Sequence, residues 1–186
     1  STLLDWNKTL VGWWRFNSAN GMNDSSTWSN NGTCTGSTCP TANTSGKLGG
    51  AYIFDGVDDY VGIGNITSRV YITNTSNTIA FWVYPNSVTG TYDTIMAFAN
   101  SATAAIWLYP DGDIGVGDAN NGPTWSRFNN NNIPAGAWTH VTIVNTNSTG
   151  AELYVNGVST GGNPDDMSWI STIFMNTTFG SYSSLG

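Results

Sequence analysis

The feature that most limits what this chain can become is its rhythm: short runs of β-branched and aromatic residues, each closed by a turn signal. No segment repeats apolar residues at helical spacing for three turns. The pattern predicts strands over Val11 to Phe16, Ala51 to Phe54, Tyr60 to Ile63, Thr78 to Tyr84, Thr94 to Phe98, Ala105 to Tyr109, Ile114 to Val116, Trp138 to Val144, Glu152 to Val155 and Thr172 to Phe179. Between them stand Pro110-Asp111-Gly112, Asn120-Asn121-Gly122, Asn147-Ser148-Thr149-Gly150 and Asn156-Gly157, residue types that tolerate turn conformations. This succession predicts an all-β fold, an antiparallel two-sheet sandwich. Ile79 to Tyr84 is apolar throughout, which reads as a central strand covered on both faces. In Trp138 to Val144, Thr139 and Val141 alternate with His140 and Thr142, so a one-residue slip would send the wrong set inward.

A chain of 186 residues with 39% apolar residues and nine Trp has enough material for one core and is read as one domain. Its surface is unusual, because charged residues make up only 9%, against roughly 25% in an ordinary domain. Asn, Ser, Thr and Gly must carry solubility, as they do on many exported and cell-surface proteins. With a net charge of −7 and basic residues scattered at Lys8, Arg15, Lys47, Arg69 and Arg127, no patch can neutralise a run of phosphates. Nucleic acid is not an expected partner, and no apolar run is long enough to span a membrane as a helix. The opening Ser1-Thr2-Leu3-Leu4-Asp5 suits a mature chain whose leader has been removed, and equally a piece cut from something larger. Cys34 and Cys39 in GTCTGSTCP lack the C-x-x-C spacing and any nearby His that redox or zinc chemistry would need. A disulfide pinning a loop is the first reading, and it points to an oxidising, extracellular setting.

The chain also carries a succession of motifs. Leu10-Val11-Gly12-Trp13-Trp14-Arg15-Phe16 leads into Asp24-Ser25-Ser26 and Ser29-Asn30-Asn31-Gly32-Thr33. Gly46-Lys47-Leu48-Gly49-Gly50-Ala51-Tyr52-Ile53-Phe54-Asp55-Gly56-Val57-Asp58-Asp59-Tyr60-Val61 follows, then Ile79 to Pro85, Trp138-Thr139-His140-Val141 and Glu152-Leu153-Tyr154-Val155-Asn156-Gly157. In this order they resemble the laminin G-like, concanavalin A-like lectin-glucanase jelly-roll domains over nearly the whole chain. Such domains usually finish with one more strand, which the resemblance does not find before Gly186. That suggests a truncated chain, an edge filled by Leu3 to Leu10, or a strand supplied by another chain. The resemblance implies a jelly roll, but one sandwich carries many tasks.

It also directs attention to two acidic segments. In related domains the loop matching Asp24, Asn30, Asn31 and Gly32 holds a structural calcium, so two readings stand here: a calcium site, or an Asx-turn loop that needs no ion. Asp58 and Asp59 lie in Asp55-Gly56-Val57-Asp58-Asp59, which reads as a hairpin turn with a calcium role as the alternative. Successive residues of a strand point opposite ways, so at most one of the pair would face an ion unless the turn twists them.

For catalysis the residues offer little. Glycan-cutting enzymes of this architecture need paired carboxylates, whereas Glu152 is the single glutamate. The single histidine, His140, has no Ser or Cys motif beside it and reads as a strand residue with one side-chain hydrogen bond. Aromatic rings that stack on pyranoses, with polar groups for the hydroxyls, would come from Trp107, Tyr109, Asn121, Trp125 and Arg127, with Asp111, Asp113 and Asn120 nearby; for each Trp, core packing is the competing reading. Sequons stand at Asn7, Asn23, Asn31, Asn43, Asn65, Asn74, Asn147 and Asn176, little more than this composition yields by chance. The leading expectation is a non-catalytic extracellular module that adheres to carbohydrate or to a surface protein, with structural calcium. The alternative is a subunit of an extracellular fibre or coat, joined to copies of itself through an open sheet edge; a degenerate glycan hydrolase comes third.

Overall fold

The computed structural model of the chain describes residues 10–17, 21–64, 66, 76–88, 92–98, 104–118, 124–129, 132–146, 150–162 and 177–180. Twelve strands run through them: β1 (Thr41–Gly46), β2 (Gly49–Ile53), β3 (Tyr60–Gly64), β4 (Asn77–Val83), β5 (Asp93–Phe98), β6 (Ala104–Leu108), β7 (Ile114–Asp118), β8 (Thr124–Phe128), β9 (Thr139–Thr146), β10 (Gly150–Val155), β11 (Val158–Gly162) and β12 (Thr177–Gly180). Every recorded pairing is antiparallel. One sheet has the order β3-β12-β5-β6-β7-β8, a second β11-β10-β9-β4, and β1-β2 form a separate hairpin. The chain thus passes from the six-stranded sheet to the four-stranded sheet at β4, back at β5, over again at β9 and home at β12.

These crossings follow from where the apolar side chains point. Ile106, Ile114, Val116 and Phe128 of the larger sheet meet Val141, Ile143 and Leu153 of the smaller one in a single core. Two sheets that share one core face each other, which is the predicted sandwich. On β9 the alternation comes out as expected: Thr139, Val141 and Ile143 are buried while His140 and Thr142 are partly exposed.

Two expectations change. Val11 to Phe16 forms no ladder strand; Trp14 makes one isolated bridge to Asp24, and the segment is held by rings. Trp14 and Phe16 both meet Phe179 edge-on at 5.3 Å, and the Trp14 indole N–H donates to the Asn30 carbonyl at 2.8 Å. Phe16 has a φ of 49°, outside strand geometry. Nor is Ile79 to Tyr84 covered on both faces. Among the described residues β4 pairs only with β9, and Ala80, Trp82 and Tyr84 are exposed while Ile79, Phe81 and Val83 pack inward. Of the segment expected over Thr172 to Phe179, the part before Thr177 lies outside the described residues, and β12 sits inside the larger sheet between β3 and β5.

Candidate functional site

Strand β6 has two buried faces of different character. Ile106 and Leu108 enter the main core, while Ala105 and Trp107 join Ala97 and, at their margin, Tyr109 in a second cluster. That cluster lies on the opposite side of the six-stranded sheet, because successive residues of a strand alternate. Its floor is flat: Gly115 stands opposite Trp107 and Gly117 opposite Ala105 in the register of β7. A Cβ at Gly115 would lie 2.4 Å from the Tyr109 ring, so only glycine lets that ring settle on the strand.

Trp107 is 2% exposed and therefore offers no open face to a ligand. Tyr92, just before β5, is the open ring of the group at 45% exposure. It stands 5.9 Å from Trp107 and 6.2 Å from Tyr109, centroid to centroid. The Arg127 guanidinium lies over Tyr109, 4.4 Å from the ring centroid. Its Nε donates to Asp113 Oδ2 at 3.0 Å, and its Nη2 pairs with Asp111 Oδ2. Asp111 is well exposed and Asp113 nearly buried.

The turn between β6 and β7 fixes these two acids. Gly112 N–H donates to the Tyr109 carbonyl and Tyr109 N–H to the Asp113 carbonyl, both at 2.9 Å. Gly112 has a φ of +83°, and a Cβ there would lie 2.7 Å from the backbone of Ile133. Glycine is required twice over at this point. The result is one strip, Tyr92–Tyr109–Arg127–Asp111, in which Tyr109 and Arg127 link an exposed ring to an exposed carboxylate. Of the residues anticipated for ligand contact, Tyr109 and Arg127 come together here. Trp125 takes a register position opposite Gly117 in β8, and Asn121 lies outside the described residues. Tyr92 was not anticipated; the signal was its place just before Asp93, which pairs with Leu108 and so brings Tyr92 beside Tyr109.

The loop of Asp24, Asn30, Asn31 and Gly32 can be tested for calcium from its donors. Asp24 Oδ1 accepts from Trp13 N–H and Ser26 N–H, both at 2.8 Å, and Oδ2 from Ser26 O–H at 2.6 Å and Asn30 N–H at 2.9 Å. Four donors occupy all the lone-pair positions that a carboxylate has. Asn31 Oδ1 accepts from Asp24 N–H at 3.0 Å, the Asn30 side chain donates to the Val11 carbonyl at 2.8 Å, and Gly32 N–H donates to Met22 at 2.7 Å. The arrangement does not fit a cation: an ion would have to break the hydrogen bonds that shape the loop. Burial pushes the Asp24 carboxyl up, but Ser26 O–H and the three backbone donors outweigh it and hold the group below the usual carboxylate range.

At the second acidic segment the turn does twist the residues together. Carboxylate oxygens of Asp55, Asp58 and Asp59 lie within 4.8 Å of one another. Asp55 Oδ1 accepts from Val57 N–H at 2.8 Å and Asp58 N–H at 3.3 Å, while Asp59 Oδ2 accepts from Asp55 N–H at 2.8 Å. These bonds are those of a tight turn between β2 and β3, and a calcium there would draw further oxygens from backbone carbonyls or water to reach six to eight. Cys34 and Cys39 are joined as a disulfide with Cα atoms 5.1 Å apart. The bridge closes a loop next to Thr33, which exchanges two 2.8 Å backbone bonds with Gly62 of β3.

Other polar residues are explained locally. Glu152 Oε1 accepts from Ser159 O–H at 2.6 Å, and that bond, then one from Tyr154, hold its carboxyl below the usual range. His140 Nδ1 is 3.4 Å from Thr142 Oγ1, and its ring meets Trp82 at a tilt, centroids 5.0 Å apart. Among the sequons, Asn23 and Asn31 are exposed and Asn43 is half-buried in the β1–β2 hairpin, where its Oδ1 accepts from Ser45 N–H at 2.9 Å. Asn7, Asn65, Asn74, Asn147 and Asn176 lie outside the described residues.

A jelly-roll sandwich with polar, low-charge faces and a ring-lined strip defines a class of lectin-like folds, and the comparisons agree. The family model described as the concanavalin A-like lectin/glucanases superfamily, of laminin G type, matches residues 55–183, and the chain belongs to that superfamily. Among curated protein sequences none matches significantly. Among solved structures, the binding domain of botulinum neurotoxin DC bound to rat synaptotagmin II superposes with a TM-score of 0.59 at 17% identity, over 93% of this chain and 44% of that one. Botulinum neurotoxin type C, which depends on two ganglioside molecules to enter cells, gives 0.54 at 16% identity over 91% and 43%. The serotype G binding domain gives 0.55 at 14% over 89% and 40%. At such identities the likeness shows the fold, and this chain spans under half the length of those toxin chains.

Proposed function

We propose that this chain is a non-catalytic carbohydrate-binding module that works outside the cell, and that the Tyr92–Tyr109–Arg127–Asp111 strip contacts the sugar. The observation that carries the reading is Tyr92: a large, 45% exposed ring beside Tyr109, over which the Arg127 guanidinium lies. A pyranose presents an apolar C–H face and a rim of hydroxyls, and this pairing of ring and polar fork meets both. The Cys34–Cys39 bridge supports an oxidising setting, and gangliosides and a receptor protein as ligands of similar folds favour a binding role. Against catalysis stands Glu152, the chain's single glutamate, which is bonded to Ser159 and has no second glutamate to form a pair.

A glycan array followed by calorimetric titration tests the proposal. Native protein binds at least one glycan class, and Tyr92→Ala weakens that binding at least tenfold while the fold is kept, its melting temperature falling only by the few degrees that the ring's contacts with Trp107 and Tyr109 contribute. If the native chain binds nothing on a broad array, the proposal fails.

A further inference from the structure

We infer that the sugars taken by this surface are uncharged, and that glycans bearing carboxylate or sulfate groups are rejected; this rests on the glycan-binding reading above. Recognition of an anionic sugar needs a cation whose charge is not already balanced by acids, usually the planar fork of an arginine. The strip has one cation, Arg127, and its guanidinium is already held by two carboxylates, Asp113 at 3.0 Å and the exposed Asp111. One positive and two negative groups leave the local sum at −1.

The other described cations are engaged away from it. Arg15 lies over Trp13 at 5.6 Å, and Lys47 over Trp82 at 5.0 Å, where Trp82 belongs to β4 of the smaller sheet. The chain as a whole carries −7. A sialyl carboxylate or a sulfate arriving at Tyr92 would therefore meet a net negative surface, and the Arg127 N–H groups not bonded to Asp111 and Asp113 would have to hold it against the repulsion of both carboxylates. A neutral hydroxyl meets neither obstacle. It donates to a remaining lone pair of the exposed Asp111 carboxylate, whose Oδ1 accepts from Asp113 N–H at 3.3 Å and whose Oδ2 pairs with Arg127, while the sugar's C–H face lies on Tyr92. The two aspartates thus act as a charge filter as well as a support for the guanidinium.

The test uses an array that carries neutral glycans beside their sialylated and sulfated forms, with the strongest pair then titrated in 50 mM and 500 mM NaCl. The expected result is at least tenfold preference for the neutral member, little salt dependence of its affinity, and a preference narrowed several-fold by Asp111→Asn. Equal or tighter binding of the anionic member overturns the inference while leaving the glycan-binding reading in place. Neutral binding that survives Tyr92→Ala unchanged also overturns it, because the sugar then sits elsewhere. Binding of neither member, with an otherwise blank array, removes both.

Discussion

Asp24 shows how much one carboxylate can organise. It collects N–H and O–H groups from Trp13, Ser26 and Asn30, tying the N-terminal aromatic segment to the loop that precedes the disulfide. Bonds to a charged acceptor are each worth about 1.5–3 kcal/mol, and removal strands their donors. Asp24→Ala should lose roughly 3 kcal/mol, which for a chain of this size lowers the melting temperature by about 6–12 °C in a thermal scan. Since the folded carboxyl titrates below its ordinary value of 3.8, its contribution is complete above that value and fades as the pH falls through the folded one. The gap between wild type and Asp24→Asn should accordingly close below about pH 4, and because Asp55 is shifted the same way in both proteins it cancels from the comparison. Calcium belongs to the same question. With every Asp24 lone pair in use, millimolar CaCl2 or EDTA should leave the melting temperature within about 1 °C, whereas an ion that binds only the folded chain must raise it. A calcium-dependent rise would show that the loop rearranges around an ion.

At the scale of strands, what was legible depended on how much apolar contrast a segment carries. Strand β9 announces itself, because Val141 and Ile143 alternate with polar neighbours and both end in the core. Ile143→Ala should therefore cost about 2–5 kcal/mol, and Thr142→Ala, one residue along on the outer face, less than about 0.5 kcal/mol; urea denaturation of the two variants checks the register directly. Strands β1 (TANTSG) and β11 (VSTGG) carry almost no such contrast, and among the described residues their ladders are made with the hairpin partners β2 and β10. Strand β8 was missed for the same reason, its TWSRF being fixed by pairing with β7. Val11 to Phe16 erred in the other direction: it has the composition of a strand, but Trp14 and Phe16 satisfy their rings against Phe179 and the backbone takes another course. The candidate site was half legible. Tyr109 and Arg127 flank a recognisable turn, whereas Tyr92 reaches them only through the β5–β6 pairing, which composition does not encode.

The whole molecule is held with very little charge. Only 9% of its residues are ionic, and among the described residues the ion pairs recorded are those of Arg127 with Asp111 and Asp113. The exposed Arg127–Asp111 pair contributes at most about 1 kcal/mol, and at 0.1 M salt the screening length is already about 10 Å. Repulsion from a net −7 works the other way, so added salt relieves a small strain while it weakens a small attraction. The two effects offset each other, and stability rests on the apolar layer between the sheets together with backbone ladders, neither of which ordinary salt screens. The melting temperature should then move by less than about 3 °C between 50 mM and 500 mM NaCl at pH 7, by scanning calorimetry or intrinsic Trp fluorescence. Arg127→Gln provides the internal control: it removes both ion pairs, so whatever salt-induced destabilisation the native chain shows should shrink in that variant. A fall of 8 °C or more in the native protein over the same salt range would mean that electrostatic attraction, and not the buried layer, sets its stability.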